Sequence, residues 1–317
     1  MQDIAKNIKK PRTKKVREKP ANSISRGCNI VFNLIFIAIA VVCIIPVILV
    51  YSVAFSSEDA IAQYGYTVFP KEFSLYAFEF MFKTGEQVLN SYGVSIFVTI
   101  VGSIAALLVT AMFAYAISRK SFGPRRIFAF FAYFTMLFSG GLIPSYMINV
   151  HVLHLKDTIF ALILPYLISA WNVMVLRTFF VNTIPDSMIE SAKIDGAGEF
   201  TTFFKIIVPL AKPGLATIGF MLVIMYWNDW WLPMLYISKP DLVPIQYMLM
   251  KTINSIEFIK NNSMLLSTPQ GQELLAKLPS QSGRMALVVI TTTPILFAYP
   301  FFQKYFVKGL TVGSVKG

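Results

Sequence analysis

The residues best placed to do something chemical form a polar island between two apolar stretches. It reads Glu190-Ser191-Ala192-Lys193-Ile194-Asp195-Gly196-Ala197 and ends in Ile206-Ile207-Val208-Pro209. A compact, charged, helix-forming loop in so apolar a chain is suited to docking on a partner. Thr183-Ile184-Pro185-Asp186 opens a helix, with Pro185 fitted to its first turn. Met188, Ile189 and Ala192 form one side, while Glu190, Lys193 and Asp195 stay polar. Gly196 breaks this helix, and Gly198 reopens the chain into a second one with Phe200, Phe203, Phe204 and Ile207 at spacings of three and four. Pro209 and Pro213 then start the next apolar helix, so the segment reads as a helix-turn-helix elbow. Two local readings compete with docking. Ser187-x-x-Glu190 matches a capping box, which would turn Glu190 onto its own backbone. An amphipathic helix lying in a membrane interface would also fit.

Other candidate chemistry is sparse. Asp229, within Trp227-Asn228-Asp229-Trp230-Trp231, is the one acid inside an apolar span, and such residues are functional candidates. Sugar CH faces stack on aromatic rings, so this cluster could line a pathway. About 15 residues beyond Gly214, at 1.5 Å per residue, it also lies where interfacial tryptophan belts occur. His151 and His154 have a spacing that could hold a metal, but no cysteine and few acids stand nearby, and no metal is expected. Cys28 and Cys43 allow no disulfide framework. No Gly-x-x-x-x-Gly-Lys-Ser/Thr run exists to cradle a nucleotide phosphate.

The elements that must position these residues follow from composition. Of 317 residues, 56% are hydrophobic and 14% charged, against about 25% charged in soluble domains. Six segments are long and apolar enough to cross a bilayer: 29–55, 91–117, 127–148, 158–181, 210–237 and 285–306. The first three carry no Asp, Glu, Lys or Arg. The others carry only Arg177, Lys212, Asp229 and Lys304, as the cost of buried charge demands. The spacing of Gly102, Ala106, Thr110 and Ala114 lets helices approach closely, either within the chain or against another subunit.

Basic residues set the orientation. Lys6, Lys9, Lys10, Arg12, Lys14, Lys15, Arg17, Lys19 and Arg26 precede the first span, and Arg119, Lys120, Arg125 and Arg126 follow the second. Segment 56–90 has only Lys71 and Lys83 against five acids. Both termini and the 182–209 loop are therefore expected in the cytoplasm. The 238–284 loop is then external, and its five basic residues fit the rule poorly. The net charge of +12 is concentrated in the tail, which reads as disordered. The tail is an orientation signal that also touches anionic lipid, and nucleic-acid binding is not expected. Segment 56–90, rich in Tyr and Phe, is expected to fold over the outer membrane face.

With those features in place, a resemblance appears. Glu190-Ser191-Ala192, then Gly196, then Ile206-Ile207-Val208-Pro209 resembles the coupling-loop pattern of importer-type ABC permeases: Glu-Ala-Ala, three residues, Gly, nine residues, Ile-x-Leu-Pro. Asp195, Ala197 and Pro213 also match its carbohydrate version, while Ser191 and Val208 depart mildly. Phe138-Ser139-Gly140-Gly141-Leu142-Ile143-Pro144, residues 172–180 and Tyr226-Trp227-Asn228-Asp229-Trp230-Trp231-Leu232-Pro233 are similar to the sugar-importer branch that includes maltose permeases. Permeases of Gram-positive oligosaccharide and polysaccharide importers are more similar still. The C-terminal residues 307–317 resemble tails that reach into an ATPase dimer.

The resemblance implies an all-α, polytopic membrane protein of the type I ABC importer permease fold, with six transmembrane helices and both termini cytoplasmic. Residues 1–28 would be a basic tail, and 29–317 the permease domain with coupling helices near 186–207. It implies an ATPase-coupling set of Glu190, Ser191, Ala192, Asp195, Gly196, Ala197, Ile206 and Pro209. An ATPase-contacting tail would use Lys308, Gly309, Gly313 and Lys316, and a sugar pathway Trp227, Asn228, Asp229 and Trp230. The chain would bind no cofactor and catalyse nothing, with ATP and Mg on separate ATPase subunits. Its partners would be a second permease in a heterodimer, two cytoplasmic ATPases, an extracytoplasmic solute-binding lipoprotein, a sugar and membrane lipid. The place would be the plasma membrane of a Gram-positive bacterium. The alternative is an ion-coupled secondary transporter, which usually needs ionisable residues at mid-membrane. A membrane-embedded enzyme would want a His, Asp or Glu cluster, and none is evident.

Overall fold

The computed structural model describes residues 25–84, 86–262, 268–269 and 281–312. The chain divides into two units, Met1–Leu49 and Val50–Gly317. The described part of the first unit is one helix, α1 (Arg26–Ala54), which continues into the second. Its stretch Gly27–Ala54 is long and apolar enough to cross a bilayer, and its last residues, Ser52, Val53 and Ala54, are buried in the second unit. Helix formation begins at Arg26, inside the expected 1–28 tail, whose first 24 residues lie outside the described ones.

The second unit is built around α4 (Glu86–Ser118), which follows the short helices α2 (Glu58–Tyr64) and α3 (Tyr76–Thr84). Phe55 stacks on Phe73 and Phe78, pinning segment 56–84 back onto the end of α1. Of the described residues, only the single bridge Ser56–Phe73 is β-like.

Gly102, Ala106, Thr110 and Ala114 are all buried along α4. They admit α7 (Ala170–Thr183) and α11 (Lys212–Trp227). The approach is tight: a Cβ on Gly102 would stand 2.8 Å from the Tyr226 ring, and one on Gly219 3.3 Å from Leu107. Gly214 meets Phe179 of α7 at a similar 2.8 Å. The small-residue stripe thus packs within the chain. The Tyr226 hydroxyl completes this core by donating to the Ile163 carbonyl at 2.9 Å.

Several expected spans are not continuous helices. Within 127–148, α5 (Arg125–Leu137) and α6 (Leu142–Met147) meet at a 117° bend running on to Val152. The cause is Ser139-Gly140-Gly141: Gly141 takes φ +86 and Pro144 sits in the turn that follows. Within 158–181, short 3-10 turns at Ile159–Tyr166 bend by 48° into α7. The fifth span halts at Trp227, and α12 (Trp231–Tyr236) resumes after Asn228–Trp230. Among the described residues, three helices are individually long and apolar enough to cross a bilayer, and up to six crossings result if each bent pair is one span. Within the 238–284 loop α13 spans Ile245–Asn261, and α14 (Gln281–Val312) carries Pro294 and Pro300 without stopping.

Candidate coupling loop

The elbow expected between 182 and 209 exists. α8 (Asp186–Ile194) starts after Pro185, whose φ −63 and ψ 141 hold the chain extended. No side chain caps it, so Ser187 and Glu190 do not form the capping box. Ser187 lies inside the helix as its second residue and is itself an acceptor, its carbonyl taking the Ser191 hydroxyl at 2.9 Å. That bond satisfies Ser191 locally, so serine is mild in place of alanine.

The turn after α8 explains Gly196. The Gly196 N–H donates to the Lys193 carbonyl at 3.0 Å and the Ala197 N–H to the Ala192 carbonyl at 2.9 Å. This pair of bonds is the Schellman closure, which places the residue after the C-cap in the left-handed region. Gly196 has φ +82, and a Cβ there would meet nothing within 4 Å. Glycine is needed for backbone conformation alone. The chain re-enters helix at α9 (Glu199–Thr202), widens into a π turn at Phe203–Ile207, and ends in α10 (Val208–Leu210). It then bends by 86° into α11.

The burial pattern divides α8 into two faces. Ile189 and Ala192 are buried. Ser187, Glu190, Ser191 and Ile194, spaced at i, i+3, i+4 and i+7, are exposed on the other side. Ile194 is 86% exposed, an apolar side chain at the tip of a polar loop, and the sequence reading did not single it out. Its signal was present: Ile194 falls off the Ile189–Ala192 face by helical spacing. Asp195 and Gly196 are also exposed, Ala197 and Ile206 are half-buried, and Pro209 is exposed. The expected apolar face of the second helix is only partly buried. Phe203 and Ile207 are inside, while Phe200 and Phe204 are outside, because the π turn rotates them apart.

Both ends of the elbow are fastened to the end of α4. At the first end, Lys120 Nζ lies 2.8 Å from Asp186 and Arg119 3.7 Å from it. At the second, Glu199 takes Lys193 Nζ at 2.8 Å and the Tyr115 hydroxyl at 2.9 Å. Arg119 is buried and stacks over the Tyr115 ring, 5.5 Å from its centroid. The hydrogen bond from Lys120, aided by Arg119 and Arg125, holds the Asp186 carboxyl below its ordinary value. None of Tyr115, Arg119, Asp186 and Glu199 was among the candidate coupling residues. Sequence spacing could not join residues so far apart in the chain.

The other candidates lie elsewhere. Trp227 is buried, and its indole N–H donates to the Thr291 carbonyl at 2.9 Å. Asp229 accepts from the Tyr166 hydroxyl and from the N–H groups of Trp231 and Leu232, so it organises the break before α12. Asn228 and Trp230 are exposed. Lys308 and Gly309 fall within α14, while Gly313 and Lys316 lie outside the described residues. His151 and His154 belong to no cluster of three metal-ligating groups among the described residues.

Residues 124–312 match the family described as the binding-protein-dependent transport system inner membrane component. The chain belongs to this family. The permease is 37% identical over 278 residues to the polygalacturonan/rhamnogalacturonan transport system permease protein YtcP of Bacillus subtilis, with 88% of this chain and 94% of that one covered. It is also 37% identical over 290 residues to protein LplC of the same organism, covering 90% and 94%. Among solved structures, it resembles a chain of a bacterial ABC transporter involved in the import of the acidic polysaccharide alginate. There the TM-score is 0.76 at 30% identity, covering 90% of the permease and 99% of that chain. The permease is therefore an all-helical membrane component of the ABC importer type and not an enzyme. Membership of this family implies partners of three kinds: another permease, an ATPase and a solute-binding protein.

Proposed function

We propose that this chain is the pathway-forming permease of an ATP-driven oligosaccharide importer in the plasma membrane of a Gram-positive bacterium. Relatives whose names include polygalacturonan, arabinooligosaccharides and trehalose support the substrate class. In this reading it pairs with a second permease, and a lipoprotein delivers sugar from outside. Two cytoplasmic ATPases bind ATP and Mg. Residues 1–28 serve as a basic cytoplasmic tail, and both termini face the cytoplasm.

One observation carries the reading: an exposed elbow bolted at both ends to the central helix. An ATPase groove would take Glu190, Ser191 and Ile194, with Asp195 and Gly196 at the turn. Ala192 and Ala197 support that surface from beneath, and Ile206 and Pro209 set its exit. When the ATPases close on ATP, displacement of α8 passes through Asp186 and Glu199 into α4, which lies against α7 and α11. ATP thereby favours one of two access states, as a ligand with different affinity for each must. The tail residues Lys308, Gly309, Gly313 and Lys316 add a second ATPase contact. Asn228 and Trp230 meet the sugar, with Asp229 holding the turn and Trp227 anchoring it to α14.

The test is co-purification with the ATPase together with uptake of labelled oligosaccharide in whole cells. Glu190→Ala combined with Gly196→Pro is expected to abolish both while leaving the permease in the membrane. Retention of both activities in that variant would defeat the docking role.

A further inference from the structure

We propose that the groove where α4 ends and α5 begins binds the phosphate headgroup of an anionic phospholipid. This goes beyond coupling and sugar transport, and it requires only that the chain sit in a membrane. The groove is a cavity of about 480 Å³ with Lys120, Arg125, Arg126 and Arg177 on its walls. No acid lines the same cavity, so the repulsion among its cations is offset only from outside by Asp186 and favours a further anion. Lys120 already pairs with Asp186. Among the described residues, no carboxylate lies within ion-pair distance of Arg125, Arg126 or Arg177, and Arg125 interacts with Asp186 only at longer range. Arg177 is held in place by donating from Nε to the Ile117 carbonyl at 3.2 Å, so its guanidinium is pre-positioned.

Further observations favour an anionic lipid at this site. The same cavity is walled by Ala129, Phe130 and Val181, so the cations stand beside apolar surface. Outward along α5 that surface continues: Ile127, Phe130 and Phe131 are 59%, 61% and 60% exposed. A headgroup on the arginines would lay its acyl chains on this face. The site also sits at the end of α4, a helix long and apolar enough to cross a bilayer. Finally, α5 points its N-terminus there with no acid in its first turn and no side-chain cap, and such a terminus attracts negative charge. Basic pockets between membrane helices are the expected home of anionic headgroups.

The test uses the full-length permease in neutral detergent, with bound lipid read by native mass spectrometry. It is titrated with dioleoylphosphatidylglycerol, dioleoylphosphatidylcholine and inorganic phosphate. The unsubstituted chain is expected to prefer phosphatidylglycerol. Arg125→Gln with Arg126→Gln should weaken that lipid by roughly thirtyfold, which at about 1.4 kcal/mol per decade matches about 1 kcal/mol per cation. Arg125→Lys with Arg126→Lys should keep most of the preference. Lys239→Gln with Lys251→Gln, an equal charge loss elsewhere, should change little. The tail variant Lys9→Gln, Lys10→Gln, Lys14→Gln, Lys15→Gln controls for the basic N-terminus. If the tail variant alone loses the preference, or if millimolar phosphate displaces the lipid as well as lipid itself does, the proposal is overturned. Should the double glutamine variant fail to fold, a photoactivatable phosphatidylglycerol decides on the unsubstituted chain. Labelling within 118–130 and 177–181 supports the site, and labelling confined to other segments refutes it.

Discussion

Single residues fix the geometry of the candidate coupling loop by three different means. Gly196 acts through its backbone: at φ +82 a β-branched side chain is strained, whatever space surrounds it. Asp186 acts through charge. Its pKa in the fold lies below the ordinary 3.8 of an aspartate, chiefly through the Lys120 hydrogen bond, so the carboxylate's contribution is present above that value and fades as pH falls through the depressed one. Over the pH range of growing cells the tie is therefore constant, and because the carboxylate is 41% exposed its worth is discounted by solvent screening. Glu199 acts through a shared hydrogen bond. We expect Tyr115→Phe to lower sugar-stimulated ATP hydrolysis in the assembled transporter several-fold, and Glu199→Ala, which loses both the Tyr115 hydroxyl and the Lys193 ion pair, to lower it further. The double variant should be no worse than Glu199→Ala alone, since that change already removes the contact Tyr115→Phe breaks. Additive losses in that cycle would show that the hydroxyl and carboxylate act separately.

At the scale of elements, the decisive contact is α4 against α11. Membrane helices gain little from the hydrophobic effect when they associate, so close packing over small residues carries the interaction. A Cβ on Gly102 would stand 2.8 Å from the Tyr226 ring, and that ring is held by its bond to Ile163. Gly102→Val should therefore destabilise the helix pair by about 1–3 kcal/mol, the usual cost of overpacking. The check is the midpoint of thermal unfolding in detergent, with Gly93→Val, at a position where a Cβ meets nothing within 4 Å, as the harmless control. The broken helices follow another rule. Where Gly141 and Pro144 interrupt the third span, the freed backbone groups need partners or water, so these segments belong against protein or a wet cavity.

For the whole molecule, membership of an ABC importer permease family places the ATPase in another chain. Transport should accordingly fail when ATP is depleted. It should persist when an ionophore collapses proton and sodium gradients with ATP held constant. Uptake measured in cells loaded with an ATP-regenerating system reads this directly, and collapse with the ionophore would favour an ion-coupled carrier. The groove at α5 adds a second dependence, on the lipid that surrounds the assembly.

The apolar runs by themselves determined that the chain crosses a membrane, because hydrocarbon excludes charge however helices are arranged. The Glu190–Pro209 spacing likewise placed the elbow, since helix starts, a left-handed turn and a proline exit are local properties of the backbone. What tertiary structure decided was every choice between partners. Gly102, Ala106, Thr110 and Ala114 could have faced another subunit, but α7 and α11 pack on α4 and bury them, with Tyr226 over Gly102. Trp227 could have sat in an interfacial belt, and the Thr291 carbonyl of α14 took its N–H. Glu190 could have capped its own helix, but the extended backbone at Pro185 started α8 before Ser187 could serve as the cap. The ties from Asp186 and Glu199 to α4 stayed hidden for the same reason: they join residues more than sixty positions apart, and sequence carries no register for such distances.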